Sequence, residues 1–388
     1  MSERDLLMIP GPIEFEPAVL RAMGRPTPSH VSSEFVEAFG EALDGLRDVF
    51  LSENGQPFVI AGSGTLAMDI AAANLVEPGD SAVVVSTGYF SDRFADILER
   101  YGADVTVIRA EPGSVPSSDT VGQALDTTRP KLMTITQVDT STGVAADVEE
   151  LAALAQEYGA LSVVDGVCAT AGAEFRQTEW GVDVCVTASQ KAVGVPPGLA
   201  LAMMSPKAME AFEARKVEVR NYYADFANWL PIMQAYQARR PSYFATPPVN
   251  LVVALQASLR IILAEGMESR FRRHRLIARA FQAAMEALGL RQLPTSPDLR
   301  APTISAVYYP DGVDSSLLGK IRNDGVVVAG GLLPQIASRY FRVGHMGAVS
   351  AGDLLATVGA VERGLQRSGY EFDLGAGLEA AQRVLERL

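Results

Sequence analysis

The sequence predicts an α/β fold with a mostly parallel sheet, and three observations lead to this prediction. Strand and helix patterns alternate repeatedly between residues 57 and 165, which is typical of a parallel sheet covered by helices. Two short apolar runs, 161–164 and 183–186, are rich in β-branched residues and bounded by polar residues or glycine, as buried parallel strands are. The 388 residues are 48% hydrophobic, which is enough for a large core and favours two domains over one.

The composition argues against several classes of protein. A net charge of −13 disfavours a nucleic-acid surface, and no apolar run is long enough for a membrane span. The acidic, proline-interrupted N-terminus is unlike a signal peptide, and the C-terminus carries no ER or peroxisomal address. Cys168 and Cys185 lie in apolar stretches and predict reduced core residues in a cytoplasmic protein. The three histidines (His30, His274 and His345) are too dispersed for metal-ligand spacing, so no metal is expected.

The N-terminal region predicts an arm followed by a helix. Residues 1–16 have no helical period and contain Pro10-Gly11-Pro12, which fits neither a helix nor a central strand. Residues 32–50 carry apolar side chains at spacings of three and four, and Ser32 is a suitable N-cap for this helix. His30 precedes the helix, and the sequence leaves a loop role and a site role equally open.

A glycine turn between a strand and a helix predicts an anion site. Residues 57–61 form the strand, Gly-Ser-Gly-Thr (62–65) the turn, and residues 66–75 the helix, whose N-terminus favours a phosphate. Ser63 and Thr65 add hydroxyl donors. The same residues match a nicotinamide-binding fingerprint, which requires an acid at the end of the next strand. That strand, 82–85, ends in Ser-Thr-Gly instead, so a dehydrogenase is the weaker alternative.

Two further strand ends carry residues that suit a ligand. After strand 82–85, Phe90 is either a core residue or an aromatic that stacks on a cofactor ring. Residues 104–108 and 131–136 predict two more strands. The second runs into Val-Asp-Thr-Ser-Thr-Gly (138–143), where Thr140 could face a ring oxygen or simply belong to a turn.

Asp165 and Lys191 form the central pair of the predicted site. Asp165 ends one predicted strand, and Lys191 follows the next, so both should face a ligand at the carboxyl edge of the sheet. Pyridoxal phosphate (PLP) chemistry uses such a pair: the lysine amine attaches to the cofactor aldehyde and the acid partners the pyridinium nitrogen. Gln190 beside the lysine, the turn at 195–198 and the upstream phosphate loop favour this interpretation over a turn acid and a solvated lysine.

The C-terminal part predicts a smaller α/β domain. From about residue 265, strands such as 303–309 and 326–328 alternate with helices. The basic cluster 270–275 stands in an otherwise acidic protein and predicts a solvated helix face, with no sign of a nucleic-acid site. Arg342 lies in a strand-like run near glycines and is a natural bidentate ligand for a carboxylate, although a bare arginine there more often forms a surface ion pair.

Three stretches resemble the class V aminotransferases of PLP fold type I, in particular the alanine–glyoxylate and serine–pyruvate group. They are 86–96 (STGYFSDRFAD), 187–191 (TASQK) and 243–249 (YFATPPV), and the resemblance extends over nearly the whole chain. It is greatest to the fungal-type alanine–glyoxylate aminotransferases, which carry Phe where related enzymes carry Trp at the position of Phe90. The resemblance implies an arm (1–16), a large domain (17–264) with a mostly parallel seven-stranded sheet between helices, and a small C-terminal α/β domain (265–388).

The resemblance also implies roles for individual residues. Lys191 and Asp165 are the catalytic pair, Arg342 binds the substrate α-carboxylate, and Gly11 and Thr140 border the substrate. The implied cofactor-binding residues are Ser63, Gly64, Thr65, Phe90, Thr140, Asp165, Gln190, Lys191, Tyr243 and Thr246. Tyr243 and Thr246 are implied to come from a second subunit, which makes the protein a homodimer with shared active sites.

The implied reaction is transfer of the amino group of L-alanine to glyoxylate by a ping-pong mechanism, giving pyruvate and glycine. Serine–pyruvate and serine–glyoxylate transamination stay open, and an NAD-dependent dehydrogenase is the alternative from another class. We find no second basic residue tied by motif to a side-chain anion, so acidic donors are less favoured. A cysteine desulfurase is not expected, because both cysteines precede Lys191.

Overall fold

The computed structural model describes residues 5–386 and contains fourteen strands and thirteen α-helices within that range. The first eighteen elements are β1 (Leu6–Leu7), α1 (Pro17–Met23), α2 (Ser33–Phe50), β2 (Gln56–Ala61), α3 (Gly64–Leu75), β3 (Ser81–Ser86), α4 (Tyr89–Arg100), β4 (Asp104–Arg109), α5 (Ser118–Thr128), β5 (Leu132–Thr136), β6 (Val138–Asp139), β7 (Val144–Ala145), α6 (Val148–Glu157), β8 (Leu161–Asp165), β9 (Val184–Ala188), β10 (Leu199–Met204), α7 (Pro206–Glu213) and α8 (Phe226–Gln237). The remaining elements are α9 (Val249–Glu265), α10 (Met267–Ala287), β11 (Ile304–Tyr308), α11 (Ser316–Arg322), β12 (Val326–Val327), β13 (Ala329–Gly330), β14 (Tyr340–Gly344), α12 (Ala351–Arg367) and α13 (Ala376–Leu385).

The main sheet has seven strands in the order β2-β10-β9-β8-β5-β3-β4. All neighbouring pairs from β9 to β4 are parallel, whereas β10 is antiparallel to both β9 and β2. Strands β5, β8, β9 and β10 are buried along their whole length, which explains why their sequences are continuous apolar runs and do not alternate. The predicted seven-stranded, mostly parallel sheet is therefore confirmed.

The amphipathic N-terminal helix forms for the local reasons that its sequence indicates. The Ser32 side chain accepts a hydrogen bond from the Phe35 backbone N–H at 3.3 Å and caps α2. The apolar face of α2 is buried, including Phe39, Leu43, Leu46 and Phe50. It packs against α8 and α9, and the aromatic rings of Phe35, Phe39 and Tyr236 contact one another there.

The buried apolar side chains form two large clusters. One surrounds the seven-stranded sheet. The other joins α10, α12 and α13 to the sheet of β11, β14 and β13, and it includes Met8 of the N-terminal arm. Strand β1 pairs in parallel with β12, so within this chain the arm is attached to the C-terminal part before residues 10–12 reach the sheet. Among the described helices, no single one has the length and hydropathy to cross a membrane; α9 and α10, bent by 86°, meet that test only as a pair.

The interpretation of 270–275 as a solvated helix face is wrong for three of its residues, since Arg270, Phe271 and His274 are all buried. Arg270 is buried, and its Nε and Nη2 donate to the backbone carbonyls of Ala171 at 2.6 Å and Ala192 at 2.8 Å. His274 is fully buried, and its Nε2 accepts from the Gly347 N–H at 2.9 Å. Both side chains lie on the inward face of α10, where backbone groups of turns need partners.

Candidate active site

The predicted catalytic pair lies in one cavity at the carboxyl edge of the sheet. Asp165 is the last residue of β8, and Lys191 follows the end of β9, which is its parallel neighbour. The cavity has a volume of about 340 Å³. Nine of the predicted site residues line it: Gly11, Ser63, Gly64, Thr65, Phe90, Thr140, Asp165, Gln190 and Lys191. The strand order of the sheet thus brings together residues that are far apart in the sequence.

Lys191 is a buried amine held next to the N-terminal arm. Its Nζ donates a hydrogen bond to the Pro10 carbonyl oxygen, and its side chain packs against Gly11. Gly11 has a φ of +136°, and a Cβ there would lie 2.9 Å from the Lys191 Cδ, so the arm can approach this closely only with glycine. Burial lowers the pKa of Lys191, with Arg342 acting in the same direction and Cys168 against it. The neutral, nucleophilic amine is therefore favoured.

Asp165 is a buried acid without a cationic partner among the described residues. Burial raises its pKa to about 7, although its carboxylate accepts the Val167 N–H at 2.9 Å. The nearby Asp139 carboxylate raises the pKa further, while the positive charges of Lys191 and Arg93 lower it. A protonated ring nitrogen beside Asp165 would supply the missing positive charge, which is the arrangement that PLP requires.

The N-terminus of α3 is open towards the cavity, as the sequence predicts for a phosphate site. Ser63 is the N-cap residue, but its side chain makes no capping hydrogen bond, so the first N–H groups of α3 have no side-chain partner. Gln190 contributes a buried Oε1 that has no hydrogen-bond partner among the described residues. Ser63 and Thr65 are exposed residues that line the same cavity. The open N-terminus of α3 and these two hydroxyls are hydrogen-bond donors that fit the phosphate end of PLP.

Asp139 joins the two predicted ligand loops, a role that the sequence analysis missed. Its Oδ2 accepts from the N–H groups of Phe90 (3.2 Å) and Ser91 (3.4 Å) and from the Ser91 hydroxyl (3.3 Å). Its Oδ1 accepts from the Ser141 N–H at 2.9 Å and from the Ser141 hydroxyl at 2.6 Å. Burial raises the pKa of Asp139, and the hydrogen bonds from Ser141, Ser91 and Phe90 oppose this. Asp139 thereby fixes Phe90 relative to Thr140.

Arg93 is a second cavity residue that the sequence analysis missed. Its Nη1 donates to the Thr65 hydroxyl at 3.0 Å, and its Nη2 donates to the Tyr89 hydroxyl at 3.2 Å. The guanidinium carbon lies 5.0 Å from the ring centroid of Tyr89 and 4.9 Å from that of Phe90. A signal was present in the sequence, because Arg93 follows Phe90 by three residues on a helix and shares its face.

Arg342 lies beside the cavity without lining it. It is a buried residue of β14, and its Nε and Nη1 donate to the carbonyls of Gly330 at 2.7 Å and Thr140 at 3.0 Å. Within the described part of the chain, Nη2 has no hydrogen-bond acceptor, which leaves a donor for a substrate carboxylate. Burial lowers the pKa of Arg342. Its contact with Thr140 places the C-terminal part of the chain at the site.

Tyr243 and Thr246 do not line the cavity of their own chain. Both residues are exposed, their hydroxyl oxygens are 3.5 Å apart, and the Tyr243 ring lies 5.5 Å from that of His30. His345, by contrast, is buried outside the cavity, and its Nε2 lies 3.0 Å from the Ser305 hydroxyl. Burial lowers the pKa of His345 to about 4, so it is neutral at physiological pH.

Comparisons with known proteins show the family to which the chain belongs. Residues 20–348 match the family model for class V aminotransferases. The chain is 39% identical over 356 residues to alanine–glyoxylate aminotransferase 1 of Saccharomyces cerevisiae, covering 88% of this chain and 92% of the yeast protein. It is 33% identical over 393 residues to the L-aspartate–glyoxylate aminotransferase of Paracoccus denitrificans, covering 98% and 96% of the two chains.

The fold has a close structural counterpart as well. The crystal structure of ureidoglycine–glyoxylate aminotransferase from Bacillus subtilis superimposes with a TM-score of 0.92 at 26% identity, covering 100% of this chain and 99% of that one. The predicted fold type I architecture and the predicted resemblance to the alanine–glyoxylate group are confirmed. The glycine turn at 62–65 therefore belongs to a PLP enzyme and not to a nicotinamide enzyme. This chain is a member of the class V aminotransferases, whose cofactor is pyridoxal 5′-phosphate.

Proposed function

We propose that the protein transfers the amino group of L-alanine to glyoxylate and produces pyruvate and glycine. The observation that carries the proposal is the buried pair of Lys191 and Asp165 at adjacent strand ends of one cavity, opposite the open N-terminus of α3. Glyoxylate is the acceptor in the names of the three relatives described above, and alanine is the donor in the name of the yeast protein. This similarity supports the choice of alanine and glyoxylate.

The chain's own residues divide the work of this reaction. When bound, PLP supplies the electron sink that stabilises the substrate carbanion. Lys191 Nζ, whose pKa burial lowers, would take the proton from the substrate Cα and deliver it to the carbon of the cofactor aldehyde instead of returning it to Cα. Asp165 would keep the ring nitrogen of PLP protonated, and Phe90 would offer its aromatic face to the ring, since both residues line the cavity. Arg342 orients the substrate through its carboxylate, with Nη2 as the free donor.

The proposed enzyme is a homodimer in which each subunit completes the site of the other. Tyr243 and Thr246 support this, because their hydroxyls lie together on the exposed surface and away from the cavity of their own chain. Exposed Tyr222 and Val217 provide apolar surface in the same part of the chain. From the partner subunit, the Tyr243 and Thr246 hydroxyls would contact the cofactor phosphate.

We also propose that the protein is located in the cytoplasm.

The visible absorption spectrum of the purified protein tests the proposed reaction. The lysine-bound cofactor should give a yellow band that fades on addition of L-alanine and returns on addition of glyoxylate. Pyruvate and glycine should be released in these two separate steps, as in ping-pong kinetics. Lys191→Ala should bind PLP without the yellow band and should lose both half-reactions.

The choice of donor needs a comparison of kcat/KM values. With glyoxylate as the acceptor, the kcat/KM for L-alanine should exceed those for L-serine and L-aspartate. Reactions of L-alanine with other 2-oxo acids in place of glyoxylate are the control. A yellow protein that responds to L-serine or L-aspartate but not to L-alanine would contradict the proposed donor and keep the family chemistry. A protein that PLP cannot colour would contradict the site itself.

A further inference from the structure

The phosphate end of the cavity has few charged groups to balance its ligand. Its predicted contacts are Ser63, Gly64, Thr65 and Gln190, together with Tyr243 and Thr246 from a second subunit, and all of them are neutral. A phosphate monoester carries a charge of about −1.5 to −2 at neutral pH. Hydrogen bonds from neutral groups and the dipole of α3 compensate only part of such a charge. Because the site is partly enclosed, a nearby cation would strengthen binding more than it would in open water.

Arg93 lies at this end of the cavity. Among the described residues that line the cavity, Arg93 is the only arginine. Its Nη1 donates to the Thr65 hydroxyl at 3.0 Å. Since Thr65 belongs to the first turn of α3, the guanidinium is adjacent to the predicted phosphate position. Arg342 does not line the cavity, and the proposed function assigns its free Nη2 to the substrate carboxylate.

The neighbours of Arg93 hold its guanidinium in a defined orientation. The Tyr89 hydroxyl accepts its Nη2 at 3.2 Å, and the rings of Tyr89 and Phe90 lie 5.0 and 4.9 Å from its Cζ. Two of its five N–H groups are used in these bonds, so further donors stay available. Such cation–π contacts stabilise a guanidinium without neutralising its charge.

We propose that Arg93 binds the cofactor phosphate, acting with Thr65 as the charged member of the phosphate site. The proposal rests on the proposed function, in which the phosphate lies at the N-terminus of α3. It assigns to Arg93 a role in binding PLP, separate from the roles of Lys191 and Asp165 in the reaction. The proposal also accounts for a second arginine near the cavity of an enzyme whose proposed donor is alanine. This arginine would contact the cofactor and not the side chain of the donor.

Affinity for two forms of the cofactor tests this proposal. The full-length protein is freed of cofactor and titrated with PLP and with pyridoxal, which has the same aldehyde and ring but no phosphate. Visible absorbance of the lysine-bound ligand reports both titrations. The variants are Arg93→Gln, which removes the charge, and Arg93→Lys, which keeps it. Arg100→Gln is the matched control, because Arg100 is exposed on the same helix about 10 Å further along.

Arg93→Gln should weaken PLP binding by about tenfold or more, the effect of losing one charge-assisted hydrogen bond. Pyridoxal affinity should stay within about twofold of the wild-type value, since pyridoxal lacks the group that Arg93 contacts. Arg93→Lys should recover part of the PLP affinity, and Arg100→Gln should match the wild type. Inorganic phosphate should compete with PLP more effectively in the wild type than in Arg93→Gln.

Two results would overturn the proposal. Equal losses of PLP and pyridoxal affinity would show that Arg93 acts by positioning Phe90 and not through the phosphate. Unchanged affinity for both ligands would show that Arg93 has no part in cofactor binding. Failure of the proposed function is distinguishable from both results, because the wild-type protein itself would then bind neither ligand, or would bind PLP and not react with amino acids.

Discussion

At the residue scale, Asp165 shows that burying a carboxyl group in the predicted site lowers the stability of the folded protein when that group is ionised. The carboxyl is buried, and its pKa is raised to about 7, mainly by burial and against the hydrogen bond from Val167. Lys191 is shifted in the opposite direction, since burial lowers the pKa of its amine. Both shifts favour neutral side chains in the cofactor-free protein. A bound cationic ring would reverse the preference of Asp165 for its neutral form.

This raised pKa predicts a pH-dependent effect of Asp165→Asn on stability. A folded-state pKa above the ordinary value of 3.8 means that the native protein binds an extra proton between about pH 4 and pH 7. The loss of stability caused by burying the ionised carboxylate is therefore absent below about pH 4 and complete above about pH 7. The free energy of unfolding of Asp165→Asn, relative to that of the cofactor-free wild type, should therefore rise by on the order of 2 kcal/mol from pH 5 to pH 8.

Thermal unfolding of the cofactor-free proteins at these two pH values measures this effect. The cofactor-loaded proteins are the control, because there the wild-type carboxylate has a cationic partner and Asp165→Asn should lose its advantage. The variant should also lose transaminase activity. A difference in Tm that is the same at pH 5 and pH 8 would contradict the titration of Asp165 in this range.

At the scale of secondary-structure elements, Asp139 connects the N-terminus of α4 to the turn between β6 and β7. One buried carboxylate accepts hydrogen bonds from Phe90, Ser91 and Ser141. Two of these donors, the backbone N–H groups of Phe90 and Ser91, belong to the first turn of α4, where a negative charge is favourable. Phe90 and the turn that contains Thr140 are thus joined by a residue that does not itself line the cavity.

Asp139→Asn should disturb the position of the cofactor ring. The new amide cannot accept from all of these donors, and its N–H groups would face donors instead of acceptors. Visible circular dichroism of the bound cofactor, which depends on the orientation of the ring, should change, and kcat should fall more than KM rises. The free energy of unfolding should decrease by about 1–3 kcal/mol.

Asp183→Asn is the matched control for this prediction. Asp183 is also a buried acid that accepts a backbone N–H, from Ser162 at 3.0 Å, but it lies outside the cavity. The Asp183→Asn variant should have a free energy of unfolding that is lower by a similar amount, with the visible dichroism and kcat unchanged. If the dichroism were unaffected by Asp139→Asn, or equally affected by both variants, a positioning role for Asp139 would be untenable.

At the scale of the whole molecule, the site depends on several distant parts of the chain. The arm contributes Pro10 and Gly11, which contact Lys191, and the C-terminal part contributes Arg342, which contacts Thr140. Tyr243 and Thr246 would reach it only from another subunit. Motion between the two apolar clusters would therefore move Arg342 relative to Lys191. In the proposed function, such motion would couple substrate binding to the packing of the two parts.

Mixed dimers test whether the site is shared between subunits. Lys191→Ala and the double variant Tyr243→Phe, Thr246→Ala should each be impaired alone. When they are co-expressed, a mixed dimer has one site with an intact Lys191 and intact partner residues. Activity should therefore return to roughly a quarter of the wild-type value after random pairing. Co-expression of Lys191→Ala with Asp165→Asn should restore none, since both residues belong to the same cavity of one chain. Absence of recovery in the first mixture would exclude shared sites.

The sequence by itself determined the local parts of this protein. Apolar β-branched runs identified buried strands such as β8 and β9, and the alternation of strands and helices identified the parallel sheet. The sheet rule then placed Asp165 and Lys191 at one edge, and the turn 62–65 indicated a phosphate site next to a helix N-terminus. These inferences succeeded because each depends on a short segment and a general rule of geometry.

Only the tertiary structure decided which distant residues meet at the site. Asp139 bonds to Phe90 across 49 residues, and Arg342 bonds to Thr140 across 202 residues, and no local pattern specifies either contact. The burial of Arg270 and His274 likewise depends on what packs against α10, so their charged sequence indicated a solvated face instead. Periodicity reports which face of an element is apolar, but the partner of that face is set by the packing of the whole chain.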